Sequence, residues 1–382
     1  MAEAYIVDAL RTPVGRRGKS LAALHPLDLA AAPLAELVSR NGIDSTQYDE
    51  IILGCIDQVG PNAMDIARSA WLAAGLSEQV PGTTIERQCG SGQQAVSYAA
   101  QAVLSGTSDL VIAGGVQSMS SIPLSYSNTA AAQFGFPDPF TGSARWAQRY
   151  GDQGISQFRG VEMMVQKWGF TRSQLEDFSV ASHEKALNAQ ERGYFEREIL
   201  PLAELRADEG PRAPDRAKMA SLAPIIDGGL HTAASASQMS DGAAMLLIAS
   251  EAAVKRYGLK PRARIHHISA RAADPVMMLS APIDATAHAL ARTSMSLEDM
   301  DRIEINEAFA AVVLAWQHET QANMEKVNVN GGAIALGHPI GATGARLMTS
   351  LLHELERSDT RWGLQTMCEG GGQANVTILE RL

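Results

Sequence analysis

Apolar positions along the chain follow two rhythms. Short uninterrupted runs at 4–8, 50–54, 83–87 and 110–113 alternate with longer stretches at 27–41, 65–74 and 92–105, where apolar residues recur every three or four positions. Short runs bounded by turn residues predict buried strands, and the longer spacing predicts amphipathic helices. Their alternation implies crossover units, and hence an α/β protein with a largely parallel sheet covered by helices. The first unit closes near Ser118.

From 119 to 240 the rhythm breaks. This stretch carries SIPLSYSNTA, a cluster of Phe134, Phe136 and Phe140, helical patterns at 161–168 and 172–192, and a Pro-rich section at 209–224. It reads as a long excursion. After Asp241 the alternation resumes with GAAMLLIAS, and a second unit runs to the C-terminus. The two units share an order of events. In the first, strand EIILG precedes the turn ERQCGSGQQA, a helix, and strand DLVIAGG; in the second, strand RIEIN precedes NGGAIALGHPIGATGAR, a helix, and strand WGLQTM followed by CEGGGQ. Such recurrence suggests two copies of one fold.

Composition narrows the function. Apolar residues make up 46% of 382 positions and charged residues 19%, a balance that suits a globular protein with a large interior. The formal net charge of -10 argues against a nucleic-acid binder, which needs a strongly basic face. No run reaches the roughly eighteen apolar residues of a membrane span, and the start lacks a basic segment followed by an apolar one. A cytoplasmic protein, without membrane or nucleic-acid partner, is the expectation. Three cysteines, Cys55, Cys89 and Cys368, show neither a CxxC pair nor metal-ligand spacing, so disulfides and bound metal are not expected.

Four positions could carry chemistry. Cys89 follows a β-like run and opens an apolar helix, among Gly90, Ser91 and Gly92. A helix N-terminus favours a thiolate, and small neighbours admit a substrate, although a lone cysteine is more often an inert core residue. His338 sits among five glycines with Pro339 after it, where the backbone can approach a ligand closely; the plainer reading is a surface or capping histidine. Asn306 lies where a strand gives way to a helix, so it suits an N-cap as well as a site. Cys368 follows a strand and precedes Glu369 and three glycines, a place for a second acid or base.

Taken together, CGSGQQA, NEAFA, GGAIALGHPIGATGAR and CEGGGQ resemble the motif set of the thiolase family, in that family's order. IVDALRTPVGR, AGGVQSMS and HTAASASQMSDGAA extend the resemblance over nearly the whole chain. It implies a duplicated thiolase fold, two βαβαβαββ halves in a layered α-β-α-β-α core. The N-terminal half would be 1–118, completed by about 241–262, the loop domain covering the site 119–240, and the C-terminal half 263–382. It further implies that Cys89 is the acylated nucleophile, that His338 takes its proton, and that Cys368 shuttles a proton to or from the second substrate. His338 and a water on Asn306 would stabilise the enolate, and the backbone N–H groups of Cys89 and Gly370 would hold the tetrahedral oxyanion. Ser237, Ala308 and Phe309 would line the pantetheine tunnel, with Arg212 at the nucleotide end of coenzyme A.

The implied activity is acyl transfer between a 3-ketoacyl-CoA and CoA, with CoA thioesters as substrates and no permanently bound cofactor. A homodimer or homotetramer is expected, with or without a partner subunit of a β-oxidation complex. Departures from the family pattern bear on the substrate. SQF at 156–158 stands where short-chain enzymes carry a His-Met pair, MMLSAP at 277–282 replaces a run of small residues, and four phenylalanines fall between 134 and 158. These favour thiolysis of long or bulky chains, including sterol side chains. The alternatives are a biosynthetic acetoacetyl-CoA thiolase, a ketoacyl-synthase-type condensing enzyme, and a non-catalytic acyl-CoA or lipid-binding relative. Two further departures are Gln117, in place of a glutamate, which is expected to alter a structural contact, and Glu369 beside Cys368, a carboxylate expected to disfavour the thiolate there and raise the Cys368 pKa.

Overall fold

The computed structural model describes residues 2–382. Its strands are β1 (Ala4–Arg11), β2 (Gly15–Arg16), β3 (Glu50–Gly54), β4 (Gly82–Ile85), β5 (Leu110–Ser118), β6 (Ser240–Ser250), β7 (Ala263–Ala272), β8 (Arg302–Ile305), β9 (Trp362–Glu369) and β10 (Gln373–Arg381). They lie in the order β4-β3-β5-β6-β1-β7-β10-β9-β8, with β2 paired to β6.

This order contains one topology twice. Around β5, β3 and β4 run parallel, while β6 pairs antiparallel with both β5 and β1. Around β9, β8 runs parallel, while β10 pairs antiparallel with both β9 and β7. Val327 makes a single parallel bridge to Ile303 of β8, in the place that β4 takes beside β3. Numbered along the chain, the strands of each half therefore stand as 3-2-4-5-1. Within the sheet the halves are joined by two residue pairs, Tyr5 with Arg264 and Ile6 with Ala263.

The sheet is mixed rather than largely parallel. The turn between β9 and β10 is only Gly370 to Gly372, too short for a crossover, so these strands must be antiparallel. β6 follows the long excursion and enters from the other end. The apolar runs are silent on both points, because a strand buried on two faces reads the same in either direction.

Helices occupy three layers. Pro26–Asn41 and Ile66–Ala73 cover the outer face of the first half, and Ala281–Thr293 and Ala310–Thr320 that of the second. Between the halves lie Ser91–Ser105 and Ile340–Arg357, which touch each other and strands of both halves. Strand alternation feeds both sides. In β6, Met245, Leu247 and Ala249 pack outward with Leu29, Leu34 and Trp71, while Ala244, Leu246 and Ile248 pack inward with Val96, Met348 and Leu352.

The two central helices approach closely at their N-terminal ends because glycines line the contact. A Cβ placed on Gly92 would lie 2.8 Å from the carbonyl oxygen of Gly341, and one on Gly344 would lie 2.3 Å from the backbone nitrogen of Gln93. The strands behind conform, since a Cβ on Gly115 would lie 2.1 Å from the same Gly341 oxygen. Elsewhere the 119–240 stretch is pinned to the core by a buried ion network. Arg11 donates from Nε to Glu198 at 2.6 Å and from its two terminal nitrogens to Asp208 at 2.7 and 2.9 Å. Among the described residues no helix is long and apolar enough to cross a membrane.

Gly344→Ala should force the central helices apart, because the atom it meets is backbone and cannot turn aside. We expect a loss of about 1–3 kcal/mol in stability by denaturant titration, the range seen for overpacked cores. An unchanged midpoint would remove the seam from this role.

Candidate active site

Both chemistry-bearing turns open a central helix. Before Ser91–Ser105 the chain makes a tight turn in which Gln88 takes a left-handed φ of 48°, Gly90 N–H donates to Arg87 O at 3.0 Å, and Ser91 Oγ donates to Gln88 O at 2.6 Å. Cys89 stands at its apex, 8% exposed. Burial raises its pKa, and the nearby Glu369 carboxyl adds to this; the backbone N–H groups of Cys89 and Gly370 act in the opposite direction, leaving the thiol at about 12. Gly370 is the first residue of a turn in which Gly371 and Gly372 take φ of 79° and 78°, values that disfavour residues with a side chain. Cys368, fully buried on β9, is also raised by burial, then by Cys89 and Glu369. The two sulfurs therefore lie within electrostatic reach of each other.

His338 precedes Ile340–Arg357. Its N–H donates to Gln238 O at 3.0 Å, and Nδ1 lies 2.6 Å from Thr343 Oγ1. Thr343 spends its own proton on Pro339 O at 2.9 Å, so Oγ1 accepts from Nδ1–H and the other ring nitrogen, Nε2, is left bare. Nε2 faces Asn306 Nδ2 at 3.5 Å. Burial and Arg346 push the imidazole pKa down to about 3. Ile340, two residues on, packs in one cluster with Cys89, Ile56, Met119 and Met367, which links the histidine turn to the cysteine turn.

The resting centre is thus neutral. A thiol pushed up and an imidazole pushed down both disfavour a thiolate–imidazolium pair. The helix N-terminus alone predicts an ionised Cys89, but burial outweighs it here.

Asn306 does not cap a helix. The following helix begins at Ala310 with Phe309 in the capping place, so the Asn306 side chain is free for His338, and its Oδ1 has no protein partner among the described residues. Glu307 is buried and accepts from Ser182 Oγ at 2.6 Å, Asn328 Nδ2 at 2.9 Å and Ile334 N at 3.2 Å, which ties three segments together. Ser237 N–H donates to Ala308 O at 2.9 Å, and Ala236 bridges Phe309, so these tunnel candidates form one wall. Phe309 meets Phe158 edge-on at 5.9 Å and His231 at 5.5 Å. His231 Nδ1 in turn lies 3.1 Å from Glu162 Oε1.

A cleft of about 410 Å³ opens onto Cys89, Ile340, Gly370 and Gly371, walled by Leu124, Phe140, Trp146, Ile155, Phe158 and Met278. A recess of about 760 Å³ shares Asn128, Pro139, Phe140, Trp146 and Ile155 with it. Of the phenylalanine cluster only Phe140 and Phe158 face this space; Phe134 and Phe136 are 73% and 61% exposed. Arg212 lies elsewhere, in a pocket of about 400 Å³ with Arg16, Lys218, Asp215 and His183, whose pKa burial and Arg212 push down to about 4; its three cations suit phosphate.

Sequence reasoning passed over Thr343, and of Gln117 it gave only that a structural contact changes. Thr343 fixes the tautomer of His338, and its only signal is a hydroxyl five positions downstream on a helix. Gln117 accepts at Oε1 from Ile56 N (3.0 Å) and Gly341 N (3.3 Å) and donates from Nε2 to Ile56 O (3.2 Å), clamping the end of β3 to the histidine helix. A glutamate could accept but not donate.

Comparison with known proteins comes to the same place. The family description "Thiolase, N-terminal domain" matches residues 4–252 and "Thiolase, C-terminal domain" residues 259–381. The chain is 57% identical to a steroid 3-ketoacyl-CoA thiolase of Mycobacterium tuberculosis, over 100% of this chain and 95% of the relative. It is 40% identical to a 3-oxoadipyl-CoA/3-oxo-5,6-dehydrosuberyl-CoA thiolase of Escherichia coli, over the full length of both. Among solved structures, an acetyl-CoA acetyltransferase of Bacillus anthracis superposes with a TM-score of 0.88 at 38% identity, covering 100% of this chain and 99% of that one.

Thr343→Val keeps the shape and removes the acceptor that orients His338. Turnover should fall by about tenfold, a fraction of what a general base contributes, with little change in KM. A wild-type kcat would show that the ring is held by packing alone.

Proposed function

Since this chain belongs to the thiolase family, and is therefore an acyltransferase, we propose that it cleaves bulky 3-ketoacyl-CoA substrates with free CoA through an acyl-enzyme on Cys89. The observation that carries the proposal is that Cys89 lies beside a second thiol and two backbone N–H groups at a cleft with aromatic walls, while the turn bearing the bare His338 nitrogen packs against the Cys89 turn through Ile340.

The steps follow from the neutral resting state. As the substrate's C3 carbonyl settles over Cys89, the thiol proton passes to His338 Nε2 and sulfur attacks C3. The C3 oxygen becomes an oxyanion held by the N–H groups of Cys89 and Gly370, donors each worth about 3–4 kcal/mol of barrier. The C2–C3 bond then breaks, and its electron pair leaves on the acetyl-CoA enolate. His338, with Asn306, stabilises the enolate oxygen, and Cys368 supplies the proton to C2. In the second half a CoA thiol gives up its proton to Cys368 and attacks the Cys89 thioester, releasing an acyl-CoA shorter by the acetyl unit, while His338 returns its proton to the departing Cys89 sulfur and restores the thiol. No resident metal or prosthetic group enters. Ser237, Ala308 and Phe309 would guide pantetheine, and Arg212 with its cationic neighbours would meet the nucleotide phosphates.

The substrate reading draws support from the recess beside the cleft, which gives a large acyl group somewhere to go, and from the 57% identical relative, a steroid 3-ketoacyl-CoA thiolase. The likeness to an acetyl-CoA acetyltransferase supports a second reading, two-carbon condensation. In our reading residues 119–240 form the unit that covers the site, and the enzyme is a cytoplasmic homodimer or homotetramer. Closed symmetric assembly is the common state of such enzymes, and β4 leaves a sheet edge open.

Intact mass spectrometry after incubation with a panel of 3-ketoacyl-CoAs tests both levels. We expect a thioester adduct on Cys89, absent in Cys89→Ala, whose turnover should drop by about a thousandfold or more. We also expect higher kcat/KM for polycyclic or branched acyl groups than for acetoacetyl-CoA. Strict preference for acetoacetyl-CoA would overturn the substrate reading, and an adduct on another residue would overturn the mechanism.

A further inference from the structure

Glu369 ends β9, next to Cys368, and its carboxyl group fills the space beside the Cys89 turn. The side chain is wholly buried, and neither carboxyl oxygen has a hydrogen-bond partner among the described residues. A Cβ placed on Gly90 would lie 1.9 Å from Glu369 Oε1, so the carboxyl takes the room that the missing side chain leaves, one residue from the nucleophile. Burying a polar group without a partner costs about 1–3 kcal/mol, more when it is charged. Space-filling would be better served by an apolar residue.

The ionisable groups around it are few. Arg87 and Cys89 face it from the turn before the helix, and Cys368 from its own strand. From β10 comes Asn375, which is neutral and takes up Arg87, accepting from its Nη1 at 3.3 Å and donating to Gly90 O at 3.4 Å. The one nearby cation is therefore partly diverted, and the carboxyl has no ion pair. Burial raises its pKa to about 8, with Arg87 and then the nearby backbone N–H of Asn375 acting in the opposite direction.

We propose that Glu369 is a positioning residue that gates the nucleophile: as a neutral acid it permits Cys89 to ionise, and as a carboxylate it opposes the thiolate and slows attack. This rests on the assignment of Cys89 above and adds the group that sets when its thiolate forms. The sign is fixed by charge. A negative neighbour disfavours a second negative charge, so loss of the Glu369 proton raises the Cys89 pKa, by about one unit for a like charge at this range.

The test reads the thiol directly and needs no turnover. Iodoacetamide alkylation of Cys89, followed by peptide mass spectrometry from pH 6 to 10, is compared between wild type and Glu369→Gln, which keeps the shape. The ratio of variant to wild-type rates should climb about tenfold as pH rises through the range where only the wild type gains charge. A ratio independent of pH would overturn the gate. Should the variant fail to fold by circular dichroism, the wild type suffices. Its logarithmic rate against pH should flatten below unit slope near pH 8 and then resume, whereas an unbroken unit slope would overturn the proposal. If acyl transfer itself proved absent, the missing Cys89 adduct would show that separately.

Discussion

The close contact between the two central helices is the constraint on which the rest of the molecule turns. Gly92, Gly341 and Gly344 let the N-terminal ends meet at backbone distance, and Gly54 and Gly115 let strands of the first half close in behind them. Each helix is preceded by a turn that carries a candidate catalytic residue, Cys89 in one and His338 in the other. Bringing the helix ends together brings the turns together. The strands on both sides then exclude water from the pair, and the end of β9 and the turn after it add Cys368 and the Gly370 N–H from the second half.

Exclusion of water sets the character of the chemistry. Cys89, Cys368 and Glu369 are raised, and His338 is lowered, all chiefly by burial. In the proposed mechanism charge arises only as a proton moves and an oxyanion forms against fixed donors, where low polarity makes those donors most effective. A similar economy appears at Gln117, which answers both the donor and the acceptor of Ile56 without a charge.

How much of this the chain declares in advance depends on the kind of information. Cys89, His338 and Cys368 stand in short glycine-rich motifs whose residue types already limit the chemistry, and the repeated order of strand, turn, helix and strand anticipates the doubled topology. Strand direction was not legible, because runs buried on both faces carry no sign of it. The third strand of the second half shrinks to the single bridge of Val327, too brief for any pattern. Asn306 looked like a cap because a strand meets a helix there, but the helix starts later, a boundary that local propensity fixes poorly. Phe134 and Phe136 looked like pocket residues by type alone, yet which way an irregular segment turns its aromatics is decided by tertiary contacts. Thr343 and Glu369 matter through neighbours distant in sequence or set by the turn, and those neighbours exist only once the halves have closed.

The double burial of β6 has a consequence for folding fidelity. Its outward set, Met245, Leu247 and Ala249, and its inward set, Ala244, Leu246 and Ile248, are equally oily. Solvent preference cannot tell a strand in place from one displaced by a single residue. Alignment must be proofread by shape; in the paired strand β5, buried on both faces like β6, the gauge is Gly115 against the Gly341 carbonyl, where Val116, brought in by a slip of β5, would collide. A misaligned chain would then fail at the very spot where the nucleophile's helix meets the histidine's, so faulty copies would be silent rather than wayward enzymes.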